Sequence, residues 1–221
     1  PSLFTFNIKN DKINKELQGL SVSNAIVTLS KKHFSSGPLL ITHWGFSGPA
    51  ILKLSAFSSE YLNKVNYSCD FHINWIGVTN TEKVANEVKS YREELKSKQI
   101  SNVDLFGLPE RLKRYIIEKS GISLTKNCAD VSNKEINQLV NTLTNDKYHM
   151  SGKTTFKEEF VTAGGVSRNE IDFKTMSSRI HPEKVYFCGE VIDIDGITGG
   201  YNFQAAWSTA YVCAKSLSRI D

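Results

Sequence analysis

The stretch Gly189-Glu190-Val191-Ile192-Asp193-Ile194-Asp195-Gly196-Ile197-Thr198-Gly199-Gly200-Tyr201-Asn202 decides how this chain is read. Before it lies a short apolar run, Val185-Tyr186-Phe187-Cys188, and after it an apolar segment from about Phe203 to Leu217. A run of the first kind reads as a strand buried on both faces of a layered α/β sheet. The later segment reads as a helix, so the glycines form the loop between strand end and helix start. Free backbone N–H groups at a helix start, with about half a positive charge from the helix dipole, make an electron-accepting pocket. Gly199 and Gly200 allow backbone to approach a flat ligand, because no Cβ intervenes. Glu190, just past the strand's carboxyl end, is placed to accept hydrogen bonds from a sugar-like hydroxyl chain. The competing reading is a tight glycine turn with a polar rim. Asp193-x-Asp195-Gly196 imitates the opening of a calcium loop, but Ile197 and Gln204 stand where that loop needs oxygen ligands.

Two more stretches stand out. Thr42-His43-Trp44-Gly45-Phe46-Ser47-Gly48-Pro49 places a histidine four residues before a serine. A nucleophile and base would need the G-x-S-x-G elbow, which is missing, and no acidic partner is identifiable. Ser47 reads more simply as the cap of a helix with Pro49 in its first turn. His43 is either a structural hydrogen-bonder or a pocket residue. In the third stretch Phe156, Phe160 and Val161 lead a strand into Thr162-Ala163-Gly164-Gly165-Val166.

Between these landmarks the texture changes twice. The first 77 residues read mostly as strand: Leu20, Val22, Ala25, Val27 and Leu29, then Cys69, Phe71, Ile73 and Trp75, alternate with polar neighbours. Residues 78–151 turn helical. Val84, Val88, Tyr91 and Leu95 form one stripe, and a second helix opens at Pro109 and stops at Gly121. A third starts with the capping box Ser132-x-x-Glu135.

With 27 basic and 23 acidic residues in 221, the chain carries a net charge of +4, and 40% of it is hydrophobic. That composition excludes a disordered chain, and no apolar run reaches the ~18 residues of a membrane span. The lysines are scattered, so a nucleic-acid stripe is not expected. Cys69, Cys128, Cys188 and Cys213 form no close pair, so neither a zinc site nor any other metal is expected. A cytoplasmic protein fits this cysteine usage.

Taken in order, Thr42 to Ala50, Val161 to Val166, and Tyr186 through Asn202 to Ala205-Ala206-Trp207 resemble the BaiN/YhiN-like flavoproteins, FAD-dependent or NAD(P)/FAD-dependent oxidoreductases. The resemblance implies an α+β architecture. A β-barrel-like insert domain (1–77 and 152–181) would carry an inserted helical subdomain (78–151). Residues 182–221 would supply the C-terminal strand and helix of a Rossmann-like FAD domain. The family's G-x-G-x-x-G fingerprint occurs nowhere in the chain, which implies a fragment lacking the N-terminal FAD-binding segment and binding FAD poorly alone. The cofactor contacts implied are Gly189, Glu190, Asp195, Gly196, Thr198, Gly199, Gly200, Tyr201, Asn202 and Phe203. His43 and Thr162 are candidates for the substrate side, with no acid or base assigned. The implied partners are a small organic substrate, NAD(P)H as an electron donor and the missing N-terminal segment, with neither nucleic acid nor membrane. A non-catalytic barrel-and-helix module binding protein or nucleic acid is the alternative class.

Overall fold

The computed structural model describes residues 1–9, 12–154 and 161–218. The chain opens with β1 (Thr5–Asn7), a short helix α1 (Lys12–Leu17), and the long hairpin of β2 (Ser21–Ser30) and β3 (His33–Ile41). Then come β4 (Gly45–Ser47), α2 (Pro49–Phe57), α3 (Ser59–Lys64) and β5 (Ser68–Asn74). The helices α4 (Thr81–Glu94), α5 (Glu110–Lys119) and α6 (Asn133–Thr144) precede β6 (Asp146–Ser151) and β7 (Lys153–Thr154). A ribbon of β8 (Ile171–Asp172) and β9 (Ser177–Ser178) leads to the long helix α7 (Tyr201–Leu217).

The main sheet has the order β6-β5-β2-β3-β4-β1-β7. Its two ends are halves of one run, residues 146–154, bent at Gly152, whose φ of 137° favours glycine. β6 pairs with β5, while β7 pairs with β1, Thr5 standing opposite Thr154. The sheet therefore curls back on itself as a barrel, the arrangement that removes free strand edges. Inside, Phe71, Ile73 and Trp75 are fully buried, as their alternation requires. Phe46 packs edge-on against Tyr148 with ring centres 5.0 Å apart, and Phe6 against Phe71 at 5.4 Å.

The three helices of the middle segment bury their apolar stripes against the same core as the barrel. The Asn80 side chain caps α4 by accepting from the Lys83 N–H at 2.9 Å. The α6 capping box is present: Ser132 Oγ accepts from the Glu135 N–H, and Glu135 Oε2 accepts from the Ser132 N–H. The Lys126 ammonium, joined by these Ser132 groups, holds the Glu135 carboxyl down to about 2. A buried polar knot fastens helices to barrel. Asp146, 4% exposed, accepts from Trp75 Nε1 at 3.0 Å and Tyr148 OH at 2.7 Å, and pairs with Lys119 of α5 at 2.7 Å.

Three expectations change. Val185–Cys188 forms no strand: Tyr186 makes one isolated bridge, to Ser177, and Val185 to Phe187 stay half-buried. Strand formation needs neighbours to satisfy its N–H and C=O groups, and the described residues offer this run no parallel sheet. Among the described residues no Rossmann-like sheet stands after residue 182, where the chain is the glycine loop and α7. Ser47 is the last residue of β4, paired opposite Leu40, and Gly48 caps α2 with Pro49 next to it. The first 77 residues hold three helices, α1 and α3 having too few turns to show a period. The strand expected through Phe156 and Phe160 lies outside the described residues, and Val161 makes only a bridge to Ser2.

Candidate functional site

The loop after Phe187 is fixed by bonds that local sequence does not announce. Gly189–Val191 makes one 3-10 turn, and the Gly189 N–H donates to Thr209 Oγ1 of α7 at 2.9 Å. The Val166 N–H donates to the Val191 carbonyl at 2.8 Å, and the Asp193 N–H to the Val166 carbonyl at 3.0 Å. Two of the three glycine-rich stretches thus lie side by side. Gly165 is required there: at φ 140°, an added Cβ would collide with the Val191 carbonyl oxygen. A second small core of Ile171, Met176, Ile192 and Cys213 sits beneath this junction.

Further along, Asn202 folds its side chain back onto Gly196 through two hydrogen bonds. It is thereby used up as a loop clamp. Gly200, at φ 84°, precedes α7, and no side chain caps the helix. The Gln204 N–H donates to the Gly200 carbonyl, so the N–H groups of residues 201–203 lie in the uncapped first turn. A 17-residue helix aims its positive dipole end the same way.

These groups surround a cleft of about 310 Å³, lined by Glu190, Thr198, Gly199, Gly200, Asn202 and Phe203, with Leu3, Val161 and Ile197 adding apolar wall. A Cβ on Gly200 would meet nothing within 4 Å, so the backbone there faces free space. The cleft suits a planar, electron-rich ring beside a polar chain: amides for the ring edge, a carboxylate for hydroxyls. The residues present therefore fit a flavin.

Other candidates fall elsewhere. Asp195 lines a different cleft with Asp193 and Glu60, where burial pushes its carboxyl above the ordinary value and the Asp193 charge adds to this. Gly189 and Gly196 act through the bonds described above, and Tyr201 is exposed. Thr162 is exposed next to Val161, and exposed His43 lines a third cleft under the Thr42–Gly45 turn. Sequence reasoning missed Leu3, Val161 and Ile197 as lining groups and Thr209 as an anchor. Only the polar Thr209 inside an apolar helix was a signal.

α7 also carries a stripe at four-residue spacing, Phe203, Trp207 and Tyr211, which are 65%, 68% and 67% exposed. The Phe203 and Trp207 rings stack with centres 6.0 Å apart. No three His, Cys, Asp or Glu among the described residues gather to hold a metal ion, and no described helix is long and apolar enough to cross a membrane.

A barrel with a helical insertion, followed by a glycine cleft at a helix start, defines the class. The chain belongs to the HI0933-like family: residues 1–161 match the HI0933-like protein barrel and H2TH domain. It is 33% identical over 216 residues to the ribosomal RNA dihydrouridine synthase of Haemophilus influenzae, covering 98% of this chain and 50% of that protein. Identity to the Escherichia coli protein of the same name is 34% over 208 residues, 91% of this chain and 47% of that one. The 3-dehydro-bile acid delta(4,6)-reductase of Clostridium scindens is 22% identical over 181 residues, 82% of this chain and 44% of the reductase. The chain spans about half the length of the curated relatives it matches.

Proposed function

We propose that this chain is the barrel, helical module and ring-facing loop of a cytoplasmic FAD-dependent reductase. The observation that carries the reading is the 310 Å³ cleft joining Glu190 to the uncapped amides of α7. Glu190 would hold the ribityl hydroxyls. The amides of residues 199–202 would face the pyrimidine edge of the ring, where reduction places negative charge that fixed dipoles stabilise. When bound, FAD supplies hydride transfer between a nicotinamide donor and an unsaturated substrate.

The rest of the protein would provide the nucleotide-binding segment with its glycine fingerprint. Its strands would take up Val185–Cys188, and its surface would cover the Phe203–Trp207–Tyr211 stripe, since exposed aromatic stripes mark contact surfaces. The division into 1–77 with 152–181, 78–151, and 182–221 is kept as part of this reading. For the substrate we favour a uracil ring in RNA, the class carried by the names of the two relatives at 33% and 34% identity. This takes the place of the expectation that the substrate is a small molecule and nucleic acid no partner.

The test uses the full-length protein. It should purify yellow, release flavin on denaturation, be reduced anaerobically by NADH or NADPH, and form dihydrouridine in ribosomal RNA. A colourless full-length protein that still binds RNA sinks the reductase reading and leaves the non-catalytic module.

A further inference from the structure

The third cleft, of about 360 Å³, is built unlike the first. It is lined by Asn7, Asn14, Lys9, Lys15, His43 and Trp44 among others. Trp44 stands at the tip of the turn Thr42–Gly45 and is 64% exposed. The turn is rigid. Thr42 Oγ1 accepts from the Trp44 and Gly45 N–H groups at 3.3 and 3.2 Å, and the Ile8 N–H donates to the Trp44 carbonyl at 2.9 Å. Gly45 lies so close to the Phe6 carbonyl that no side chain fits. An indole held in water on a fixed turn makes a stacking platform.

Beside it, Asn14 is 6% exposed. Its Nδ2 donates to the His43 carbonyl at 3.4 Å, while its Oδ1 is buried with no hydrogen-bond partner. A buried acceptor left unpaired costs free energy that an incoming N–H donor restores. Lys9 and Lys15 are exposed, and neither forms an ion pair among the described residues. A flat surface, an unpaired acceptor and two exposed lysines are together what a nucleotide offers partners for: base face, base N–H and phosphate.

We propose that this cleft binds one unpaired RNA nucleotide. Its base stacks on Trp44, a base N–H reaches Asn14 Oδ1, and the neighbouring phosphates meet Lys9 and Lys15. Leu3 lines the glycine cleft while Asn7, four residues on at the end of β1, lines this one, so the two lining residues lie within about 14 Å of each other. The nucleotide bound here would then lie on the same RNA strand as the base that reacts, and its recognition sets which RNA is used. This inference rests on the proposed RNA substrate.

The experiment measures binding of a short fluorescein-labelled single-stranded oligouridylate to the full-length, flavin-loaded protein, by anisotropy across a salt series. Trp44→Ala should weaken binding about tenfold, since the ring is exposed and its loss leaves the fold intact. Lys9→Gln with Lys15→Gln should lower the salt slope by about 0.7 per lost phosphate contact. Asn14→Leu should weaken binding too, with flavin content unchanged in every variant. If the variants bind oligouridylate like the parent while flavin and RNA reduction persist, the subsite is wrong and the reductase reading stands. Trp44-dependent capture of an acidic peptide in place of RNA overturns it as well. Absence of flavin from the parent protein sinks the reductase reading instead.

Discussion

The Asn202 amide grips the Gly196 peptide from both sides. The Gly196 N–H donates to Oδ1 at 2.7 Å, and Nδ2 donates to the Gly196 carbonyl at 3.0 Å. The clamp sets the span of the loop that lines the cleft ahead of α7. Asn202→Ala should cost about 2 kcal/mol, at roughly 1 kcal/mol per bond. Flavin content of the full-length protein should fall with it. Asn202→Asp keeps the acceptor, loses the donor and should fall between. Thermal melting and the flavin-to-protein ratio check both variants.

Glu190 and Gly200 separate binding from stability. Glu190 is exposed, so Glu190→Ala should change stability by under about 0.5 kcal/mol while weakening FAD retention. Gly200→Val places a branched side chain at φ 84° where backbone borders the cleft, and should abolish flavin binding. Normal flavin content in both variants would remove the ring from this loop.

Gly165→Ala tests the junction of the two glycine stretches. The new methyl collides with the Val191 carbonyl, so the loss should exceed about 2 kcal/mol. Hydrogen exchange should rise at residues 189–193, while the barrel strands keep their protection.

Asp146 is the one buried carboxylate, among the described residues, that the helices and the barrel share. Asp146→Ala takes the acceptor from the buried Trp75 N–H and removes the ion pair of the partly exposed Lys119, and should cost about 1–3 kcal/mol. The shift of the urea midpoint measures it.

Glu135 gives a pH signature. Its carboxyl is lowered from 4.5 to about 2, chiefly by Lys126, so its stabilising contribution is full above 4.5 and is lost as pH falls toward 2. Glu135→Gln should lower the melting temperature at neutral pH and flatten the acid limb. Asp70, held at about 2 by Lys147 and then His149, should keep a residual slope in the variant.

The middle of the chain was the most legible. Val84 and Val88, the Ser132–Glu135 box and the Gly121 stop each act locally, within one or two helical turns, and each appears where the spacing put it. The alternation of Phe71, Ile73 and Trp75 also carried through, because one face of β5 is wholly buried. β2 was harder. Its register slips between Val22 and Ala25, so apolar positions change face mid-strand. Val185–Cys188 misled because apolar content promises burial, whereas a strand depends on partners elsewhere in the sequence. In the cleft, Glu190, Thr198, Gly199 and Gly200 could be read from the loop that carries them. Leu3 and Val161 could not, since they arrive through the Ser2–Val161 bridge between distant parts of the chain.

The barrel's closing strand has a consequence for how the protein is made. Thr5 and Thr154, bonded across the seam, are 149 positions apart. At a synthesis rate of ~5–20 residues per second, β1 waits roughly 7–30 s for that partner to be translated. Throughout that interval one flank of the nascent barrel is an open template, and the helical insertion accounts for about half of the delay.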